Sequence, residues 1–93
     1  MEEETVRVRI PRGNEVIGTV IEVLGASRFR VDCTDGRERI CRVPGRSKRG
    51  IYVKIGDVIM LKPWVVQGDE RGDIIWRYKP AQVSWLTRRG FLK

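Results

Sequence analysis

The dipeptide Asp35-Gly36 constrains the fold more than any other feature of the chain, because it separates two runs of alternating apolar and polar residues. Asp-Gly between two such runs is typical of a β-hairpin. We predict a three-residue loop, Thr34-Asp35-Gly36, in which Gly36 takes the positive φ that glycine tolerates best.

The length of this loop sets the register of the hairpin, since a slip of one residue moves every side chain to the opposite face. The three-residue loop puts Phe29 opposite Cys41 and Arg28 opposite Arg42. One face then carries apolar side chains: Phe29, Val31, Cys33, Cys41 and Val43. The other face carries Arg28, Arg30 and Arg42, with Ile40 among them. A two-residue loop would place Arg42 on the apolar face, so we prefer the longer one.

The same stretch holds most of the excess charge of the chain. Residues 27–54 contain nine Lys or Arg and three Asp or Glu, a net charge of +6, whereas all 93 residues together have +7. Arg outnumbers Lys by fourteen to five, and guanidinium groups grip phosphate and stack on bases. This charge predicts a nucleic-acid partner. The alternative is the charged surface of a heat-adapted protein.

We predict that a phosphate-binding surface is formed by Arg28, Arg30 and Arg42 on the hairpin, extended by Arg46, Lys48 and Arg49 in the basic loop and by Lys54. The acids opposite the hairpin arginines, Asp32 and Glu38, are too few to neutralise them. Binding should fall steeply with salt, because each neutralised phosphate releases counterions. The alternative is a solvated strand face.

The remaining patterns predict an all-β chain with a short C-terminal helix. Strands are expected at residues 16–24, 58–66 and 74–78, besides the two of the hairpin. Gly18 is expected to mark a bend or bulge, and Pro80 and Gly90 to begin and end the helix. We divide the chain into a mobile arm (1–15), a barrel (16–79) and a helical extension (80–93). Five strands suggest an OB-fold barrel, with an SH3-like barrel as the alternative.

Exposed aromatic side chains are expected to be scarce. We place Phe29, Trp76 and Trp85 in the core and only Tyr52 and Trp64 near the surface. Proteins that bind single strands without sequence preference usually stack bases on exposed rings. The scarcity therefore favours recognition of a folded RNA by its backbone and shape.

Several function classes are disfavoured by what the sequence lacks. It has no His, no activated nucleophile and no Gly-rich phosphate loop before a helix, so we do not expect an enzyme. Asp69, Glu70 and Asp73 are expected in a solvated acidic loop, and Cys33 and Cys41 as buried reduced thiols, so no metal or cofactor is expected. The acidic N-terminus and the lack of a long apolar run indicate a cytoplasmic protein without a membrane partner.

Several motifs, in order and spacing, resemble archaeal translation initiation factor 1A. They are RVRIPR, LGASRFRV, DGRERICRVPGR, GDVIMLKPW, VQGDERGDIIWRY and QVSWLTRRG, and the resemblance runs from about Val6 to Phe91. It implies an S1-like, five-stranded OB-fold. It also implies a non-catalytic factor that binds small-subunit RNA at the decoding A site, blocks premature tRNA entry and helps place initiator tRNA and mRNA. The alternative is a general single-stranded nucleic-acid or RNA-chaperone protein of cold-shock type.

The resemblance also implies contacts and partners. The family's loop between strands one and two corresponds to Gly25-Ala26-Ser27-Arg28, which adds Ser27 to the predicted RNA contacts. The chain is expected to act as a monomer on the small ribosomal subunit, with initiator tRNA as an indirect partner. It lacks the long tails of eukaryotic members, so the functions of those tails are not carried over. A contact between the C-terminal helix and the translation GTPase initiation factor is a hypothesis based on the cations Arg88 and Arg89 and on the near-terminal Phe91 and Leu92.

Overall fold

A computed structural model describes residues 8–44 and 52–92. These residues form five strands and one helix: β1 (Val16–Gly25), β2 (Arg28–Cys33), β3 (Glu38–Arg42), β4 (Val58–Pro63), β5 (Arg71–Arg77) and α1 (Pro80–Arg88). The strands close into a barrel in the order β1-β2-β3-β5-β4, and β4 pairs back with β1. Only β3 and β5 run parallel among the strand pairs described. This is the five-stranded OB-fold, as predicted.

The central hairpin has the predicted register. Phe29 lies opposite Cys41 and Arg28 lies opposite Arg42. The backbone amide of Gly36 donates to the Cys33 carbonyl over 3.0 Å, and Gly36 has φ +89°. Glycine has no Cβ to clash in this left-handed conformation, so it closes the turn without strain. The three-residue loop is confirmed.

Gly18 has a different role from the one predicted. Its register is regular towards both neighbouring strands, whereas the irregularities of β1 fall after Val20 and after Val23. A Cβ at Gly18 would lie 2.4 Å from Cγ1 of Val31. Glycine is needed here for close packing of β1 on β2. The bulge offered as one prediction for this position is wrong.

The boundaries of β4 and β5 also differ from prediction. β4 ends at Pro63 instead of residue 66, and β5 begins at Arg71 instead of residue 74. Asp73 is therefore a strand residue beside Lys62 and Arg42, not part of a solvated loop. Long-range pairing with β3 and β4 extends β5 across a polar stretch that has no apolar alternation of its own.

The buried side chains form two clusters. The first fills the barrel with these residues: Val20, Phe29, Val31, Cys33, Cys41, Ile59, Leu61 and Ile74. The second lies where α1 covers the barrel, with these residues: Ile17, Val58, Met60, Tyr78 and Leu86. Leu86 is completely buried, and truncating such a leucine to alanine costs about 2–5 kcal/mol. The helix is thus part of the folded core.

The ends of α1 follow the sequence signals. Pro80 is the first helical residue after the cap at Lys79, and Gly90 beyond the helix has φ +83°. The amide of Phe91 donates to the Leu86 carbonyl over 2.9 Å, which satisfies a carbonyl at the helix end. The ring of Phe91 stacks on Trp85 with centroids 6.1 Å apart.

The described part of the predicted arm lies against the barrel. The Tyr78 hydroxyl donates to the Arg9 carbonyl, and Val8 packs on the second cluster. The Arg9 guanidinium sits 5.3 Å from the centre of the Trp76 ring. These contacts attach residues 8–9 to the same end of the barrel as α1. Residues 1–7 of the predicted arm lie outside the described residues.

Candidate nucleic-acid interface

The arginine face of the hairpin forms as the alternation predicts. Arg28 and Arg42 are directly opposed across β2 and β3, and Arg30 is opposed by Ile40. Arg28 and Arg42 are exposed, and Arg30 is half-buried. Three guanidinium groups are therefore displayed on one side of a rigid two-stranded ribbon.

Carboxylates of the chain pair with Arg30. Its Nε donates to Oε1 of Glu22 on β1 over 2.9 Å, and its Nη1 lies 3.7 Å from Oε1 of Glu38. The hydrogen bond that Arg30 donates to Glu22, followed by the charges of both acids, raises the pKa of Arg30. Glu22 comes from a strand that the hairpin analysis did not include. Arg30 is thus more neutralised than the sequence suggested.

Arg42 belongs to a three-residue cluster with Trp64 and Asp73. Oδ1 of Asp73 accepts a hydrogen bond from Arg42 Nε over 3.0 Å and from Trp64 Nε1 over 2.9 Å. The Arg42 guanidinium lies 5.0 Å from the centre of the Trp64 ring. Parallel pairing of β3 with β5 brings Asp73 to Arg42. The carboxylate therefore orients both an arginine and an aromatic ring.

Arg71 is a cation of this face that sequence analysis missed. It lies beside Ile40 in the β3–β5 pair, and it lines a concavity of about 290 Å³ together with five other residues: Arg28, Ile40, Cys41, Arg42 and Trp64. Within residues 8–44 and 52–92, the side chains of Arg28 and Arg71 have no hydrogen bond or ion pair. Nothing in the local pattern around Arg71 indicates this placement, because it depends on strand pairing.

A second concavity, of about 380 Å³, lies on the other side of the Arg42–Trp64 contact. Lys62 and Asp73 are its other charged residues, and its apolar lining is formed by Pro44, Pro63, Val65 and Ile75. Both concavities are lined by Arg42 and Trp64, so they adjoin at this pair. We call the two together the groove. Lys62 is exposed, and the sequence analysis did not predict it as part of the binding surface either.

The turn between β1 and β2 has an unusual backbone. Ala26 and Ser27 have φ values of +49° and +58°, and Gly25 pairs with Arg28 across the turn. Two-residue hairpin loops with both residues left-handed favour Asn and Gly. Ala and Ser carry a conformational cost there. The exposed Ser27 is thereby presented at the tip of the hairpin next to Arg28.

The remaining predicted RNA contacts lie away from the hairpin face or outside the described residues. Lys54 is exposed in a turn whose Gly56 amide donates to the Val20 carbonyl over 2.8 Å. That turn flanks β1 on the side away from β2, so the width of β1 separates Lys54 from the hairpin arginines. Arg46, Lys48 and Arg49 lie outside the described residues.

Arg39 does not join the arginine face. It lies opposite Val31 on the inner face and is only 4% exposed. It donates to both carboxylate oxygens of Asp35, over 3.1 and 2.9 Å, and to the Gly68 carbonyl over 2.6 Å. Burial is the largest single influence and lowers its pKa, but the interactions with Asp35 and Cys33 together outweigh burial and raise it. The separation of arginines from apolar residues is therefore incomplete.

The aromatic side chains only partly follow the predictions. Phe29 is buried and Tyr52 is 81% exposed, as predicted. Trp64 and Trp85 are half-buried, and Trp85 packs on the second cluster. Trp76, predicted in the core, is instead 36% exposed, and the centre of its ring lies 5.3 Å from the Arg9 guanidinium. The inference from scarce exposed rings is correspondingly weaker.

Burial disfavours ionisation of the two cysteine thiols. Cys33 and Cys41 are both buried and free, and burial raises the pKa of Cys41 to about 12. In the described part of the chain, no three Cys, Asp or Glu side chains converge in a way that could hold a metal ion. No helix in those ranges is long and apolar enough to cross a membrane.

Comparison with known proteins shows one consistent family. Residues 3–93 match the family model described as translation initiation factor 1A / IF-1. Translation initiation factor 1A of Methanococcus aeolicus is 50% identical over 93 residues, covering 98% of this chain and 89% of that protein. The factor from Archaeoglobus fulgidus is 45% identical over 94 residues, covering 99% and 96%.

A solved structure agrees with the fold. The solution structure of translation initiation factor IF-1 from the Wolbachia endosymbiont of Brugia malayi has a TM-score of 0.55 and 33% sequence identity, covering 74% of this chain and 82% of that chain. Both the architecture and the sequence therefore point to the same group of proteins.

Proposed function

Because this chain belongs to the translation initiation factor 1A / IF-1 family, we propose that it binds RNA of the small ribosomal subunit at the decoding A site. There it blocks premature entry of tRNA and helps to place initiator tRNA and mRNA. It acts by occupying this site and not by catalysis. The setting of this activity is the cytoplasm, and the chain acts as a monomer.

The observation that carries this proposal is the exposed groove along β3 and β5. Arg28, Arg42 and Arg71 line one concavity of it. Among the residues described, Asp73 is the one carboxylate that pairs with any of these arginines, and it pairs with Arg42. Backbone phosphates are the ligands that such guanidinium groups bind most strongly. Since Arg30 is held by Glu22 and Glu38, we assign it a weaker contact than Arg28 and Arg42.

The hairpin tip supports the same surface. Ser27 is exposed beside Arg28, on a turn held in a left-handed conformation. Four further cations are included in the proposed surface because of their charge: Arg46, Lys48, Arg49 and Lys54. We assign residues 16–79 to the RNA-binding barrel, residues 80–93 to its helical extension and residues 1–15 to an arm.

The test is binding of the purified chain to purified small subunits. Replacing Arg28 with Ala should weaken binding by about 1.5–3 kcal/mol, the contribution of a hydrogen bond between charged groups. It should leave the melting temperature nearly unchanged, because an exposed cation adds little stability. Arg12→Ala is the matched control, since Arg12 is an exposed arginine away from the groove. Equal affinity of the two variants would refute the assigned surface.

The place of binding needs its own measurement. Chemical footprinting of small-subunit RNA should show protection in the decoding A site when the chain is present. Excess poly(U) should barely displace the chain from small subunits. Displacement by poly(U), with no localised footprint, would instead support the alternative of a general single-stranded binder or RNA chaperone.

The helix is a proposed contact for the translation GTPase initiation factor. Arg88 is exposed, and Phe91 is 37% exposed beside Trp85. Removing residues 80–93 would also remove the buried Leu86, so a point substitution is the cleaner test. Arg88→Glu should reduce capture of the GTPase factor in a pull-down while small-subunit binding is retained. Unchanged capture would argue against this contact.

A further inference from the structure

We propose that Arg28, Arg42 and Arg71 form a phosphodiester-binding subsite in which Asp73 positions Arg42. This inference rests on the proposed RNA-binding function and names a part of its surface that the sequence did not indicate. The ligand is one backbone phosphate with its sugar, read by charge and geometry and not by base identity.

The three arginines come from three strands and converge on one concavity. Arg28 and Arg42 are opposed across β2 and β3, and Arg71 of β5 lies beside Ile40 of β3. Ile40 and Cys41 of β3 also line the concavity of about 290 Å³. Fixed strand pairing, instead of a flexible loop, therefore sets the spacing of the cations.

Most of this charge is left available for a ligand. Among the side chains that the structure describes, those of Arg28 and Arg71 contact no carboxylate. Arg42 uses only its Nε to bind Asp73, and its two terminal nitrogens donate to no group within the described ranges. A phosphate has acceptor oxygens that suit such paired donors.

Asp73 acts as a positioning residue in this arrangement. One oxygen, Oδ1, accepts from both Arg42 and Trp64, so it fixes the guanidinium over the indole ring. The Trp64 backbone amide donates to the Arg71 carbonyl over 3.1 Å, which joins the backbone that carries the ring to that of the third arginine. Asp73 is one negative charge beside three positive ones, and it leaves the subsite with a net charge of +2.

The test compares variants by equilibrium binding to purified small subunits at several salt concentrations. Arg71→Ala should weaken binding about ten-fold or more and reduce the slope of log K against log salt by about one phosphate contact. Arg71→Gln, which keeps most of the side-chain stem, should behave in the same way. Arg88→Ala is the control, because Arg88 is an exposed arginine on the helix, and should bind like the wild type.

Asp73→Ala gives the sharper result. If Asp73 acted only through its negative charge, removing it would tighten RNA binding. We expect binding to weaken several-fold instead, because Arg42 loses the group that positions it. Asp73→Asn keeps an oxygen acceptor and should recover part of the loss. Tighter binding by Asp73→Ala would overturn the positioning role.

Different results would refute the phosphodiester subsite and the proposed function. If Arg71→Ala and Arg71→Gln bind like the wild type while Arg28→Ala is weakened, the subsite is refuted and the proposed function stands. If the wild-type chain does not bind small subunits, both are refuted. Thermal melts of each variant identify any loss of binding that comes from unfolding.

Discussion

Arg39 offers the most direct test of how this barrel is held together. Its guanidinium is almost completely buried and makes two hydrogen bonds to Asp35 and one to the Gly68 carbonyl. It therefore connects the β2–β3 turn with the loop between β4 and β5. We expect Arg39→Met, which retains the aliphatic stem, to destabilise the protein strongly.

The magnitude follows from the exposure of its partner. Removing one member of a buried ion pair typically costs about 3–5 kcal/mol. The Asp35 side chain is 36% exposed, so water can solvate part of its charge once Arg39 is gone. We therefore expect a loss of about 2–3 kcal/mol. For a domain of this size, that corresponds to a melting temperature lower by about 10–20 °C.

A neighbouring arginine provides the control. Arg37 lies on the same hairpin, and its Nη1 is 3.6 Å from Oδ2 of Asp69, with side chains 52% and 72% exposed. Arg37→Met should change the free energy of unfolding by about 0.5 kcal/mol or less. Urea denaturation followed by circular dichroism measures both. If the two variants lost the same stability, the assignment of Arg39 as a buried clamp would be refuted.

Three further outcomes are expected. Gly18→Ala should cost about 1–3 kcal/mol by overpacking against Val31, because its Cβ would lie 2.4 Å from Cγ1 of that valine; an unchanged denaturation midpoint would contradict this packing. The hydrogen bond from Arg39 lowers the pKa of Asp35 below 3.8, so its stabilisation is present above about pH 4 and lost as the pH falls through the lowered value. Asp35→Asn should therefore flatten the acid limb of a stability-versus-pH curve, and an identical limb would be evidence against it. Cys41, with a pKa of about 12, should react with a thiol reagent only as fast as the protein unfolds; rapid labelling in native conditions would show that it is accessible.

The local sequence pattern predicted the structure correctly where that structure depends on residues close together in the chain. Asp35-Gly36 and the alternating residues beside it predicted both the turn and the register of the hairpin, because the two strands are adjacent in the chain. Pro80 and Gly90 likewise marked the ends of α1, since backbone conformation near a helix end depends on the residues there. The resemblance to a known family supplied the specific barrel that strand counting left open.

Pairing between strands distant in the chain decided the contacts that the local pattern did not predict. Arg42 and Asp73 are 31 residues apart and meet because β3 and β5 run in parallel. The same pairing brings Arg71 into the groove, although no local pattern around it predicts this. Arg39 faces inwards because strand alternation puts it on the same face as Cys41. Its burial is tolerated because a distant carbonyl, that of Gly68, and the nearby Asp35 together satisfy its donors. The sequence alone determined which segments form strands and where the charge is concentrated. Only the tertiary structure decided which charges are neutralised, because that depends on which carboxylates other strands bring close.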